Sequence, residues 1–365
     1  MKHCQQQNRS GKRPGSFGVS SSDSEGRKAL VLGGTGAMGL YLVPALASMG
    51  YEVHVISLDN VISENPRISY AKADAKDKEY LKALLKGGFD VIVDFMIYST
   101  EEFKERYDIL LQNTAHYVFL SSYRVYAGGD TPITESTPRL LDVSEDKDFL
   151  ATEDYALYKA RQEDILQSSE YGNWTIVRPA ITYSKYRFQL VTLEAPVVVA
   201  RALRGLPVVL PRAALSVQAT MSWAGDVAGM ISRLLANPSA YRECFTLATA
   251  EHRTWGEIAE YYREIIGLKY LEADTEDYLK IMGLSKGARY QLAYDRLFQR
   301  IVDNSKILSV TGLKQPDLMP LRRGLERELS ALPKDTVWPD AGMVWERMDA
   351  YSKQYSVPHQ EQRRV

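Results

Sequence analysis

Tyr155 and Lys159 stand four residues apart in the stretch DYALYKARQ (154–162), a spacing that puts both on one face of a helix. An ammonium beside a phenol favours the ionised form and draws its pKa down from about 10 toward the range of a working base. Upstream, Ser122 closes the apolar run YVFLSS (117–122). A hydroxyl at the carboxyl end of a strand lies where open α/β sheets bind ligands, and it can donate to a ketone oxygen as a phenolate takes its proton. Nearer the start, VLGGTGAMGLYL carries Gly33, Gly36 and Gly39 directly after a strand and at the opening of a helix, with Thr35 and Met38 between them. The first glycine permits a tight turn, the second lets backbone approach a pyrophosphate, and the third lets helix pack closely on strand. Backbone N–H groups and the helix dipole then supply the anion site.

Asp59 ends the following strand, about 20 residues beyond the loop, where a carboxylate accepts from adenosine ribose hydroxyls. A 2′-phosphate would meet a negative charge there, and LDNVIS supplies no Arg or Lys. The expected cofactor is therefore NAD rather than NADP. Asp74, ending the third strand in KADAKD, is placed to contact the adenine edge or to remain a solvated loop acid.

These residues need elements to hold them, and the pattern supplies alternating strands and helices. Strands are expected at 28–33, 52–59, 68–74, 90–97, 117–122 and 174–179, and helices at 38–50, 78–88, 101–114 and through the opening stretch. Thr152 is expected to cap that last helix. Alternation of this kind implies βαβ units and a parallel sheet covered on both faces. After Pro179 the alternation gives way to helices and loops, including 193–212 and TWGEIAEYYREIIG (254–267). The reading is a polar tail at 1–26, a dinucleotide-binding domain at 27–190, a smaller and mainly helical substrate domain at 191–332, and a loosely attached extension at 333–365. A segment of the later chain is allowed to return to the first domain.

Composition excludes more than it selects. The 365 residues carry a formal net charge of -1, so no global basic surplus points to nucleic acid or to an anionic membrane. The two cysteines, Cys4 and Cys244, form no zinc spacing and argue for a reducing compartment, so cytoplasm is expected. No metal site and no transmembrane helix are proposed. Asp226 in SWAGDVAGM reads as a helix cap, and His116 as an ordinary loop histidine.

Together, GGTGAMG, the strand-end Asp59, FLSSYRVYA, YALYK and VRPAITYS resemble, in order and spacing, the extended short-chain dehydrogenase/reductase family and its NAD-dependent sugar epimerase/dehydratase branch. The resemblance spans about residues 28–330. It implies a Rossmann-type doubly wound parallel sheet with a smaller C-terminal substrate-binding domain, and a homodimer whose interface includes the YxxxK helix. Carried over, Ser122 and Tyr155 flank the reacting oxygen, and Lys159 holds the nicotinamide ribose and tunes the tyrosine. Gly33, Thr35, Gly36, Met38, Gly39, Asp59, Asp74, Phe95, Lys159 and Pro179 contact the NAD.

The departures set the expected reaction. Where 4,6-dehydratases carry an acid pair after the motif hydroxyl, this chain has Tyr123 and Arg124, so dehydration is not expected. Ile181 stands where many nucleotide-sugar enzymes have asparagine, and Phe95 and Met96 where many relatives have small residues. In LAYDRLFQR, Arg296 or Arg300 either binds a diphosphate or lies on a solvated helix face. The expected activity is a sugar or nucleotide-sugar epimerase that oxidises its substrate transiently to a ketone, in the setting of bacterial polysaccharide metabolism. The alternatives are a net sugar dehydrogenase or ketoreductase using the same residues, and a non-catalytic dinucleotide-binding or RNA-associated regulator.

Overall fold

The computed structural model describes residues 26–129, 131–185, 187–333 and 335–356; the segment 1–25 with Cys4, and residues 357–365, lie outside it. The chain divides into two compact units interleaved in sequence. The first comprises 26–121, 158–177 and 231–245, and the second 122–157, 178–230 and 246–356.

The first unit is built on strands β1 (Lys28–Leu32), β2 (Glu52–Ser57), β3 (Ile68–Lys72), β4 (Phe89–Asp94), β5 (Thr114–Leu120) and β6 (Trp174–Pro179). A further strand, Glu243–Leu247, joins them in a seven-stranded sheet whose order is Glu243–Leu247, β6, β5, β4, β1, β2, β3. The pairs β1–β2, β2–β3, β1–β4, β4–β5 and β5–β6 are all parallel. Strand order reverses at β1 and β4, which defines a doubly wound sheet with helices on both faces.

The connecting helices are α1 (Gly39–Ser48), α2 (Lys78–Leu85), α3 (Thr100–Lys104) and α4 (Tyr107–Gln112). Asp77 caps α2 by accepting from the N–H groups of Glu79 and Tyr80. Sequence periodicity predicts one helix over 101–114, but the chain breaks at Arg106. The buried Arg106 guanidinium takes the Glu102 carbonyl that a continuing helix would offer to its own N–H, which donates to Phe103 O instead. His116 also departs from expectation. It lies inside β5, fully buried, with Nδ1 accepting from Ala236 N–H (3.0 Å) and Nε2–H donating to Thr175 Oγ1 (2.8 Å). Burial lowers its pKa to about 4, so it is a neutral core bridge at working pH.

The second unit is mainly helical. Its short strands pair two by two, Ile181–Tyr183 with Met221–Trp223 and Val208–Pro211 with Tyr270–Ala273, both in parallel. Within 193–212 the expected helix covers Ala195–Leu203 and gives way to the strand Val208–Pro211. The helix Trp255–Ile266 opens on a capping box between Thr254 and Glu257 and ends on the left-handed Gly267. The described part of the 333–365 extension is attached more firmly than expected. Its helix Met343–Ser356 is held by Arg201 Nη2–H to Asp349 (2.5 Å) and Trp345 Nε1–H to Pro196 O (3.2 Å), with Met348 fully buried.

Candidate active site

The glycine loop leaves β1 at the point where strand order reverses, which is where such sheets bind their ligands. Gly33 adopts φ +71°, and a Cβ there would press on Met96 Sδ at 3.2 Å, so the turn itself requires glycine. Gly39 is required by packing, because a Cβ would stand 2.1 Å from Gly34 O. Gly36 is different. A Cβ there would meet nothing closer than Gly33 O at 3.6 Å, and the residue is exposed, so the fold gives it no reason to be glycine. A glycine there leaves room for close approach of a pyrophosphate. No side chain caps α1, which leaves its amino end to an outside anion. Met38 is buried and packs in the core.

Thr35 Oγ1 lies 2.7 Å from Ser57 Oγ, and Ser57 donates to Asp59 Oδ2 (3.3 Å) while accepting from Asp59 N–H (3.1 Å). This chain of hydroxyls ties the loop to the exposed carboxylate two residues past β2, where ribose hydroxyls are its fitting partners. The exposed Asp74 accepts from Lys76 N–H (2.8 Å) through Oδ1, closing a local turn. Phe95 and Met96 follow β4 and pack against the glycine turn. The donor set of Gly36, Thr35 and Asp59 can therefore accommodate a dinucleotide with free ribose hydroxyls.

Lys159 belongs to the first unit and is fully buried, donating to Leu120 O (2.7 Å) and Met96 O (3.5 Å). Burial lowers its pKa to about 8, opposed by the charges of Asp94 and Glu163. Asp94, which sequence reasoning passed over, ends β4 and accepts from Met96 N–H (2.9 Å), Tyr117 O–H (2.8 Å) and Tyr98 O–H (3.5 Å). Burial raises its pKa and these donors with Lys159 pull it back. An acid closing an otherwise apolar strand, in DVIVD, was the available signal.

Ser122 and Tyr155 belong to the second unit. Ser122 opens a short turn, Tyr123–Val125, and its Oγ accepts from Arg124 N–H at 3.2 Å. Its own proton is thereby left to donate. Tyr155 begins the helix Tyr155–Ser168 and is half-buried. The cap of that helix is Asp154, not Thr152: the Asp154 carboxylate accepts from Ala156 N–H (3.0 Å), and Thr152 Oγ1 accepts from Asp154 N–H (3.2 Å). The Arg124 guanidinium lies 5.2 Å from the Tyr155 ring centre and reaches Asp154 Oδ1 at 3.4 Å. Pro179 is buried at the end of β6.

Arg296 and Arg300 are neither solvated nor available to a diphosphate. Both are buried and paired with Asp295; Asp295 and Arg296 lie on a widened turn of helix at Leu292–Arg296, and Arg300 follows it. Arg296 also donates to Val191 O (2.7 Å), and Arg300 to Tyr126 O (3.1 Å). Asp226 is not a cap either. It lies in the first turn of Ala224–Leu234 and accepts from Met319 N–H (2.7 Å), with burial raising its pKa to about 6.

The sheet order and the glycine loop define a dinucleotide-binding α/β protein. A model of the NAD dependent epimerase/dehydratase family matches residues 29–245, and the chain belongs to that family. The chain is 26% identical over 255 residues to the chloroplast stem-loop binding protein of 41 kDa b of Arabidopsis thaliana. That match covers 66% of this chain but only 63% of the relative's own length. The fold is similar to that of an epimerase from Methanothermobacter thermautotrophicus (TM-score 0.66, 16% identity, 90% of this chain and 95% of that chain). It is also similar to that of Thermus thermophilus UDP-glucose 4-epimerase in complex with NAD (TM-score 0.60, 19% identity, 85% of this chain and 100% of that chain). Among the described residues no helix is long and apolar enough to cross a membrane, and no cluster of metal-ligating side chains occurs.

Proposed function

We propose that the protein is an NAD-dependent epimerase of a sugar or nucleotide sugar. The observation that carries this reading is a single set of proton-handling hydroxyls, Ser122 and Tyr155, with no carboxylate at positions 123 and 124. Removal of water needs a separate acid and base, whereas oxidation and reduction at one carbon reuse the same groups in both directions. The chemistry supplied by a bound NAD is reversible hydride transfer. Tyr155 takes the proton of the substrate hydroxyl as the carbon is oxidised and returns it after the ketone has turned over. Ser122, its Oγ fixed by the Arg124 N–H, donates to the ketone oxygen. Lys159 supplies a buried positive charge on the same helix, one turn on from Tyr155.

The test is direct. Purified protein is denatured and its supernatant analysed for NAD by mass spectrometry, and the native protein is incubated with nucleotide sugars. Bound NAD with epimer formation and no net NADH is the expected result. Net NADH would turn the reading into a dehydrogenase. Protein without NAD that leaves every sugar unchanged would overturn it.

The Arabidopsis relative's name favours a second reading, a stem-loop-binding protein on the same fold. The near-neutral net charge weighs against it. Gel-shift titration with an RNA hairpin, run beside the sugar assay, separates the two.

A further inference from the structure

Two buried arginines of the second unit are well supplied with acceptors. Arg296 donates to Val191 O (2.7 Å), Gln189 Oε1 (3.2 Å) and Asp295. Arg300 donates to Asp295 (3.0 Å), Tyr126 O (3.1 and 3.2 Å) and Tyr294 O (3.3 Å). The partly buried Arg124 is not so supplied. Its side chain is only 14% exposed, and among the described residues its guanidinium makes one long hydrogen bond, Nη2–H to Asp154 Oδ1 at 3.4 Å. Its buried Nε has no hydrogen-bond partner and stands 3.6 Å from Asp295 Oδ2. Asp295 is already held by Arg296 and Arg300. Beside them the buried Tyr123 hydroxyl is also without a partner.

A guanidinium carries five N–H donors in a rigid fork suited to two oxygens of one anion. The buried Nε–H without a partner is costly, and the two terminal nitrogens, with one long bond between them, are left to a ligand. The fork lies over the Tyr155 ring, and its own backbone N–H fixes Ser122 Oγ. A group bound there is therefore next to the two hydroxyls that handle the proton.

We propose that Arg124 binds an oxyanion of the substrate, a carboxylate or a phosphate, carried near the carbon whose hydroxyl faces Tyr155 and Ser122. The substrate is then an acidic sugar rather than a neutral one. This rests on the reading of Tyr155 and Ser122 as the reacting pair. A neutral hydroxyl offers one oxygen and no charge, so the unmet donors discriminate against it.

The experiment is isothermal titration of the NAD-loaded protein with matched probes: UDP-glucuronate against UDP-glucose for the carboxylate, and glucose 6-phosphate against glucose for the phosphate. The expected result is binding of one acidic probe about tenfold or more tighter than its neutral counterpart. That preference falls to about twofold or less in Arg124→Gln and is partly regained in Arg124→Lys, which keeps the charge but not the fork. Equal binding of acidic and neutral probes by the unaltered protein overturns the proposal, and so does a preference that survives Arg124→Gln. The wild-type comparison needs no variant to fold. NAD-dependent turnover of neutral sugars without any acidic preference refutes the role of Arg124 and leaves the epimerase reading intact. An Arg124-dependent preference without any turnover does the reverse.

Discussion

Asp94 and Arg124 are both largely buried charges, one at the end of β4 and one in the turn after β5, and they are finished differently. Around Asp94 the carboxylate receives an amide and two phenols, and the nearby Lys159 is met by the Leu120 and Met96 carbonyls. Around Arg124 the donors outnumber the acceptors, with Nε and the Tyr123 hydroxyl left unmatched. A buried polar cluster completed from within serves the fold; the incomplete one around Arg124 is what the proposed anion would complete.

The contrast is broken most severely at Asp94. Asp94→Ala takes from the buried Lys159 one of the two carboxylates that act on it and leaves two phenols without their acceptor, and is expected to cost about 3–5 kcal/mol of stability in denaturant titration. A loss below about 1 kcal/mol would mean that the cluster is not structural. The glycine loop offers the next contrast. Gly39→Ala drives a Cβ to 2.1 Å from Gly34 O and is expected to cost about 1–3 kcal/mol. Gly36→Ala meets nothing within 3.6 Å, so it should leave the melting temperature unchanged while weakening NAD binding in a fluorescence titration. Arg124→Gln should lower stability less than Asp94→Ala, by about 1–2 kcal/mol, because its hydrogen bond is long and Asp295 keeps two other partners.

The remaining effect is one of pH. Lys159 has its pKa lowered from 10.5 to about 8, so between those values the unfolded chain holds a proton that the folded one lacks. Stability from this group therefore rises with pH across that window. Denaturant titrations of the wild type at pH 8 and pH 10, compared with Lys159→Met, should reveal that rise and its absence in the variant.

Much of this was legible in local sequence. Parallel strands buried on both faces read as continuous apolar runs, as in KALVL and DVIVD, and the sheet followed from their alternation with helices. The Thr254–Glu257 capping box and Gly267 marked one helix at both ends. What escaped depends on partners distant in the chain. Asp349 anchors the last helix to Arg201 across 148 residues, and nothing near Asp349 announces it. His116 looked like a loop residue because Thr175 and Ala236, which complete its bonds, are far away in sequence. Arg106 splits a helix whose periodicity is unbroken, since the guanidinium competes with the backbone for one carbonyl. In the site, spacing alone singled out Ser122, Tyr155 and the glycine loop. The saturation of Asp94 and the unsaturation of Arg124 required knowing that Tyr117 and Asp295 stand beside them.

The central claim is that Tyr155 is the base for a substrate hydroxyl. Its most direct test is kcat of Tyr155→Phe with the sugar the wild type turns over, measured alongside NAD content and melting temperature. A general base contributes about 10²–10⁴-fold, so the account predicts a loss of that size with cofactor and fold retained. Turnover within about threefold of the wild type would contradict it and assign the proton to another group.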